Sequence, residues 1–233
     1  MNNIARLPVT FSLIAACVLV YVGVAALGTT YTPAIPWNVG LVSQPGAVLS
    51  GGALVPALVA QGEWWRLISS VFLHSGFTHL GFNMLSLYFL GALAENAFGR
   101  WRFLALYLLS GLAGGVAYLY FGGFDTPAVG ASGAIFGLLG SVLGFSLRQG
   151  TFSWQNPLVR QLLILTALNL YLGFSVSNIS NTEHIGGLLG GLAFGWLMAP
   201  TVYSQKKARA TTPVIAVFCA ELVLVAAWLI YFV

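Results

Sequence analysis

A serine set among small residues, Gly130-Ala131-Ser132-Gly133, heads one apolar stretch of the sequence, and His79 and His184 head two others. A serine hydroxyl attacks a carbonyl only when a base takes its proton, and imidazole suits that task near neutral pH. Ser132 and His184 can supply that pair, the first as nucleophile and the second as general base and then acid. Asn83 follows His79 by four residues, one helical turn, so the two share a face. Both donate hydrogen bonds, which suits a developing negative charge on a substrate carbonyl oxygen. Interhelical hydrogen bonding is the plainer use of the same two residues. The one acid beside the histidine in sequence, Glu183, points about 100° away from it on a helix. The pair is therefore read as a dyad without a third member.

Other chemistries fit less well. Three histidines, His74, His79 and His184, raise the question of a metal, but H-E-x-x-H is absent and no second carboxylate stands at ligand spacing. The glycine-rich stretch around Ser132 lacks G-x-G-x-x-G and the lysine of a P-loop, and Ala134 breaks G-x-S-x-G. No metal and no cofactor are expected.

The elements that must position these residues are membrane spans. Of the 233 residues 58% are hydrophobic and 6% charged, with a mean hydropathy of +0.89, whereas soluble domains carry about 25% charged residues. Nine basic residues give a net charge of +4 but form no patch or stripe, so nucleic acid is not an expected partner. Cys17 and Cys219 lie in apolar runs without C-x-x-C spacing, which argues against a disulfide framework or zinc ribbon. A helix needs about 20 apolar residues to cross the hydrocarbon layer. Seven segments meet or approach that length: Val9–Gly28, Phe77–Ala97, Phe103–Gly122, Ala128–Leu147, Leu158–Ser177, His184–Tyr203 and Thr212–Val233. The first apolar run outlasts the 7–15 residues of a signal h-region and reads as a retained span. The expected fold is an all-α polytopic membrane bundle of seven transmembrane helices.

One long connection, residues 29–76, holds Pro33, Pro36, Pro45 and Pro56 among apolar residues, with Trp37, Trp64 and Trp65 calling for burial. It is expected to rest at the membrane interface, the preferred depth of tryptophan. Orientation follows from the basic residues. With a cytoplasmic N-terminus, Arg6, Arg100, Arg102, Arg148, Arg160, Lys206, Lys207 and Arg209 fall inside and Arg66 alone outside. The second, fourth and sixth spans then run inward, and His79, Ser132 and His184 share a depth near the outer face. Lys206 and Lys207 lie at the opposite face, which disfavours a serine–lysine dyad. Polar groups at such depth are costly and mark function.

Small residues say which helices touch. Gly133, Gly137, Gly140 and Gly144 line one face of the fourth span, and Gly187, Gly191 and Gly195 line one face of the sixth. Pressing these stripes together would set Ser132 beside His184. Two isolated acids complete the pattern. Glu95, followed by Arg100 and Arg102, reads as part of a structural interface pair, and Glu221 in the last span as a hydrogen-bonded packing contact or a group beside the substrate path.

Glu63-Trp64-Trp65-Arg66, His79-x-x-x-Asn83, Gly130-Ala131-Ser132-Gly133 and His184-x-x-Gly187, in that order across helices, resemble the rhomboid family of intramembrane serine proteases over about residues 7 to 200. The extra final span is similar to the subset with six core helices plus one. What the resemblance implies is an endopeptidase cutting transmembrane segments of other proteins near the outer face, with Ser132 as nucleophile and His184 as base and acid. It implies an oxyanion site of His79, Asn83 and the backbone amides of Ala131 and Ser132, and a first loop anchored by Trp65 and Arg66. Phe136 stands where many relatives carry a tyrosine stacked on the histidine, so stacking is expected to survive. Glu183 stands where a small residue is usual. Residues 1–203 are expected to form the catalytic core, including the interfacial loop, and residues 204–233 a basic cytoplasmic linker and the added helix. Expected partners are transmembrane protein substrates and the lipid bilayer, and a bacterial inner membrane is the expected location because no Arg-rich, Ser-rich transit segment stands at the N-terminus. The alternatives are a non-proteolytic rhomboid-like binding protein or a transporter. A transporter is disfavoured because no repeat relates two halves of the chain.

Overall fold

The computed structural model describes residues 7–27, 45–175, 179–199 and 211–232. Ten α-helices follow one another among them: α1 (Pro8–Leu27), α2 (Pro45–Ser50), α3 (Pro56–Ala60), α4 (Arg66–Ser69), α5 (Phe77–Phe98), α6 (Arg100–Phe121), α7 (Ser132–Arg148), α8 (Pro157–Ser175), α9 (Asn181–Met198) and α10 (Thr211–Phe232). A 3₁₀ turn over Ser70–Phe72 leads into α5. The protein is an all-α membrane bundle. Helices suit this setting because each satisfies its own backbone hydrogen bonds where no water is available.

Seven of these helices are long, and five of the seven, α1, α5, α6, α8 and α10, have the length and hydropathy to cross a membrane. The other two are α7, with 17 residues, and α9, whose 18 residues include Asn181, Glu183, His184 and five glycines. Composition alone thus supports five of the seven expected crossings. α7 is apolar but shorter than the five, and α9 carries polar residues and glycines in place of larger apolar ones.

The α7–α9 contact is the most extensive between any two helices, with α6 packed against both. Its intimacy rests on absent side chains. A Cβ on Gly187 would collide with the Gly133 carbonyl, one on Gly191 with the Gly137 carbonyl and one on Gly195 with the Ser141 carbonyl. In return, a Cβ on Gly140 or Gly144 would strike the carbonyls of Leu188 and Leu192. Gly137 also faces Ser110 of α6, while a Cβ at Gly133 would meet its nearest atom, the Glu183 carbonyl oxygen, at 3.4 Å. The tight approach therefore begins at Gly133, directly after Ser132, and continues along the helix.

Helix starts differ from expectation where the backbone intervenes. The fourth span was expected from Ala128, but Ala128 exchanges both backbone hydrogen bonds with Leu54 in an isolated antiparallel bridge, at 2.8 and 2.9 Å. Gly130 then turns the chain with a φ of +131°, so α7 can begin only at Ser132. The sixth span was expected from His184, yet α9 starts at Asn181 because the Ser180 hydroxyl accepts the Glu183 N–H at 3.3 Å and caps it.

Residues 45–76 form a compact strap rather than an irregular loop. Arg66 is buried, donates to the carbonyls of Leu49 (2.7 Å) and Ala53 (2.8 Å), and pairs with Glu63 at 2.6 Å. Its guanidinium lies 4.8 Å from the ring centroid of Trp65, and Ser69 Oγ donates to the Gly52 carbonyl at 2.8 Å. Trp64, expected to need burial, is 68% exposed, and Trp65 is 42% exposed. Amphipathic rings facing outward are what an interfacial position allows. Pro33, Pro36 and Trp37 lie outside the described residues, as do Lys206, Lys207 and Arg209. Glu95 does have a structural role, but its partner is α1 and not Arg100 or Arg102. The carboxylate accepts from the N–H groups of Val9 (3.1 Å) and Thr10 (2.8 Å) and from Thr10 Oγ1 (2.7 Å), meeting the positive end of that helix.

Gly191→Ala should destabilise the protein by about 1–3 kcal/mol, since the added carbon must displace backbone. Gly23→Ala, at a position where a Cβ meets nothing within 4 Å, should be neutral or slightly stabilising. Thermal unfolding of the two variants in the same detergent checks the contrast.

Candidate active site

The site is assembled from three helix starts. α7 opens at Ser132 with Ala131 before it and no side chain capping the end, and its first backbone bond within the helix runs from the Ile135 N–H to the Ala131 carbonyl. The earliest amides of a helix have no carbonyl partner within it, so this end presents open donors and the positive end of the dipole. α9 opens one turn before His184, whose N–H bonds the Ser180 carbonyl at 3.2 Å. The glycine contact between the two helices then sets His184 Nε2 2.8 Å from Ser132 Oγ. Phe136, one turn beyond Ser132, stacks on the His184 ring with centroids 4.3 Å apart and planes 11° apart. A serine hydroxyl can donate to Nε2 in this arrangement while the proton of the neutral ring sits on Nδ1. His184 Nδ1 is buried and has no hydrogen-bond partner among the described residues, so Glu183 does not complete a triad.

His79 belongs to the first turn of α5. The Ser75 hydroxyl lies 3.0 Å from its Nδ1, and the Ser75 N–H points at the same nitrogen from 3.4 Å. A nitrogen that accepts from a backbone N–H carries no proton, so Nε2 holds it and is the donor. That edge of the ring faces Gly130: a Cβ there would sit 2.8 Å from His79 Nε2 and 3.7 Å from Ser132 Oγ. The absent side chain is the space in which a small group could meet both residues. Asn83 is buried one turn along α5, and its Nδ2 donates to the His79 carbonyl at 2.9 Å, which leaves its second N–H uncommitted.

His74 lies behind this group, 1% exposed, with its ring edge-on to His79 at 5.2 Å. Burial pushes its imidazole down to about 3, so the ring is neutral. Among the described residues no three His, Cys, Asp or Glu side chains gather as a metal site. Glu221 is buried, and among the described residues neither carboxylate oxygen has a hydrogen-bond partner, so the expected interhelical hydrogen bond is not seen there.

Of the residues singled out from sequence, the structure brings Ser132, His184 and Phe136 into contact, sets His79 against Gly130 beside them, and puts Gly133, Gly137, Gly187 and Gly191 at the helix contact. Trp65 and Arg66 lie in the strap that leads to α5. Sequence reasoning missed Ser75, which fixes the His79 tautomer, and Ser70, whose carbonyl accepts the Gly130 N–H at 3.0 Å. Neither sits in a pattern that marks such a role.

What the fold and site define is a polytopic helical membrane protein with a serine–histidine pair at the heads of two packed helices. A family model described as "Rhomboid domain" matches residues 61–201. The chain is 44% identical over 140 residues to "Rhomboid protease GluP" of Bacillus subtilis (strain 168), covering 60% of this chain and 27% of that protein. It is 42% identical over 150 residues to "RHOMBOID-like protein 5" of Arabidopsis thaliana, covering 63% and 48%. With "Putative rhomboid protease YdcA" of Bacillus subtilis (strain 168) it shares 39% over 151 residues, covering 65% and 73%. The chain belongs to the rhomboid family. It spans less than half the length of the first two of these relatives.

Gly130→Ala should cost about 1–3 kcal/mol through the positive φ alone and force the His79 ring away from Ser132. A crystal structure of the variant with the ring unmoved would contradict this account of the space at Gly130.

Proposed function

We propose that the chain is an intramembrane serine endopeptidase that cleaves transmembrane segments of other membrane proteins. The observation that carries the reading is the 2.8 Å contact between Ser132 Oγ and His184 Nε2 at the start of two packed helices, in a family whose relatives bear protease names. In this mechanism His184 Nε2 takes the Ser132 proton as Oγ attacks the scissile carbonyl. The oxyanion is met by His79 Nε2–H, the free N–H of Asn83 and the amides of Ala131 and Ser132. His184 then gives its proton to the leaving amine, and a water activated by the same imidazole hydrolyses the acyl-enzyme. Phe136 holds the imidazole plane through both steps.

The depth of the chemistry follows from helix length. α7 has 17 residues and is about 25 Å long at 1.5 Å per residue, shorter than a hydrocarbon layer of about 30 Å. Ser132 at its head therefore sits below the membrane surface, in reach of the end of a substrate helix and of water entering from that side. With the N-terminus cytoplasmic, that side is the outer face of a bacterial inner membrane. Arg66 and Trp65 hold the interfacial strap over this end, and substrates enter laterally past the strap or α8, the sparsely buried fifth span. Favoured substrates are single-span proteins whose helices unwind readily at Gly, Ala or Ser near the outer face.

Three measurements test the reading. Purified, folded Ser132→Ala should lose all cleavage of a model transmembrane substrate, and retained turnover would remove the dyad. Asn83→Ala should slow turnover by roughly 10²-fold if its N–H meets the oxyanion, and an unchanged rate would leave it as packing. A fluorophosphonate probe should label the wild-type protein at Ser132. Failure to label folded protein would favour a rhomboid-like binding protein that retains substrates without cutting.

A further inference from the structure

α10 lies outside the matched family region, yet it is joined to the segment that aims Ser132. Trp228 is fully buried and donates from Nε1 to the Leu119 carbonyl at 2.7 Å, in the last turn of α6. Its ring also lies against Phe124, centroids 6.5 Å apart, in the segment between α6 and α7. One turn earlier on α10, the Leu224 carbonyl accepts from Tyr120 Oη at 2.8 Å. Val225 and Trp228 share one buried apolar cluster with Leu54, Val59 and Leu67 of the strap and with Ala128. That cluster lies under the Leu54–Ala128 bridge, two residues before Gly130.

The segment from Gly122 to Ala131 has little structure of its own and is held from outside at successive points. The Phe124 carbonyl accepts from the Ala57 N–H (3.0 Å), the Thr126 carbonyl from Tyr118 Oη (3.1 Å), Ala128 is bridged to Leu54, and the Gly130 N–H bonds Ser70. Trp228 is the support contributed by the added helix. A fully buried tryptophan removes more apolar surface than any other side chain and also closes an otherwise open helix-end carbonyl. We propose that Trp228 is a positioning residue for the Ser132 site, and that through it α10 holds the turn that sets the Ser132 hydroxyl and the neighbouring amides in register with His184 and His79. This inference rests on the proteolytic reading above.

The test uses the full chain in detergent or liposomes, with turnover of a model transmembrane substrate, the rate of fluorophosphonate labelling at Ser132, and the melting temperature followed together. Wild type fixes the reading itself: absence of both cleavage and labelling there would defeat the proteolytic assignment, irrespective of any variant. Given an active wild type, Trp228→Ala should lower kcat and the labelling rate together by about 10-fold or more with KM nearly unchanged, because small misplacements of reacting groups are expensive in rate. Trp228→Phe, which keeps a ring in the cluster, should recover most of that loss. Phe98→Ala, which removes a buried ring packed edge-on to Phe145 near the other end of α5, is the control for destabilisation alone and should lower the melting temperature with kcat little changed. Phe124→Ala cuts the link between α10 and the turn from the other side and should slow labelling several-fold in a protein that still melts cooperatively. The proposal is overturned if Trp228→Ala labels at the wild-type rate, or loses no more rate than Phe98→Ala at an equal drop in melting temperature. Should Trp228→Ala fail to fold, Phe124→Ala decides: a wild-type labelling rate overturns the proposal and a slowed one supports it.

Discussion

The backbone contact between α7 and α9 is the constraint on which the site depends. Within lipid no hydrophobic drive separates a helix from its surroundings, so close association comes from van der Waals contact and weak backbone interactions that only small residues permit. Here the carbonyls of Gly133, Gly137 and Ser141 occupy the places where side chains of Gly187, Gly191 and Gly195 would be. The four-residue spacing repeats the contact at each turn and so fixes register as well as distance. A register that put any residue with a Cβ, such as Leu188 or Leu192, in those places would drive that carbon into the carbonyls. A hydroxyl and an imidazole more than fifty positions apart in the chain are thereby held 2.8 Å apart.

Register between two helices leaves the rotation and approach of the turn before Ser132 undetermined, and the rest of the molecule supplies that. The strap is organised around a buried guanidinium whose donors reach Leu49, Ala53 and Glu63. Arginine suits this because its planar fork reaches several acceptors at once and it does not lose its charge when buried. The strap in turn reaches the α6–α7 segment through Leu54, Ala57 and Ser70. The polar linkages thus run from the interface inward to the site, while at the far end Glu95 ties the start of α1 to α5 by the same logic of a carboxylate at a helix N-terminus.

Much of this was legible in the sequence because its strongest signals are local. Apolar length gives the long helices, and glycine period gives the faces that meet. A polar residue at the head of an apolar run stands out against its surroundings. Ser132 and His184 are found this way, whereas Phe136 stands out only through the family resemblance. What escaped has a common character: it depends on backbone direction or on pairing between distant segments. Ala128 looks like the start of an apolar helix, and only its pairing with Leu54 and the positive φ of Gly130 show why the helix waits for Ser132. Trp64 is of a type that calls for burial, yet it is exposed, as the interfacial position expected for this connection allows. Glu95 has arginines close by in sequence, but the α1 amides are nearer in space. Glu221 shows the converse limit, since a buried carboxylate was expected to find a partner and has none among the described residues.

The two helices that form the site end differently, and the difference carries chemical meaning. α9 is capped by the Ser180 hydroxyl, as an ordinary helix start is. α7 has Ala131 at its cap position and no side-chain cap, although an uncapped start forgoes about 1 kcal/mol. Ser132 itself stands at a position where serine could serve as a local acceptor for those amides, and its hydroxyl is instead directed to His184. Amides left open at a buried helix start need a partner in the membrane more than they would in water. On the proposed proteolytic reading, the acceptor that fits them arrives with the substrate: a carbonyl oxygen gaining negative charge as Ser132 adds to it, where donors already aligned need no reorganisation. On that proposal the missing cap and the hydroxyl turned toward His184 are two parts of one arrangement, in which the first turn of α7 would supply both the nucleophile and the anion donors.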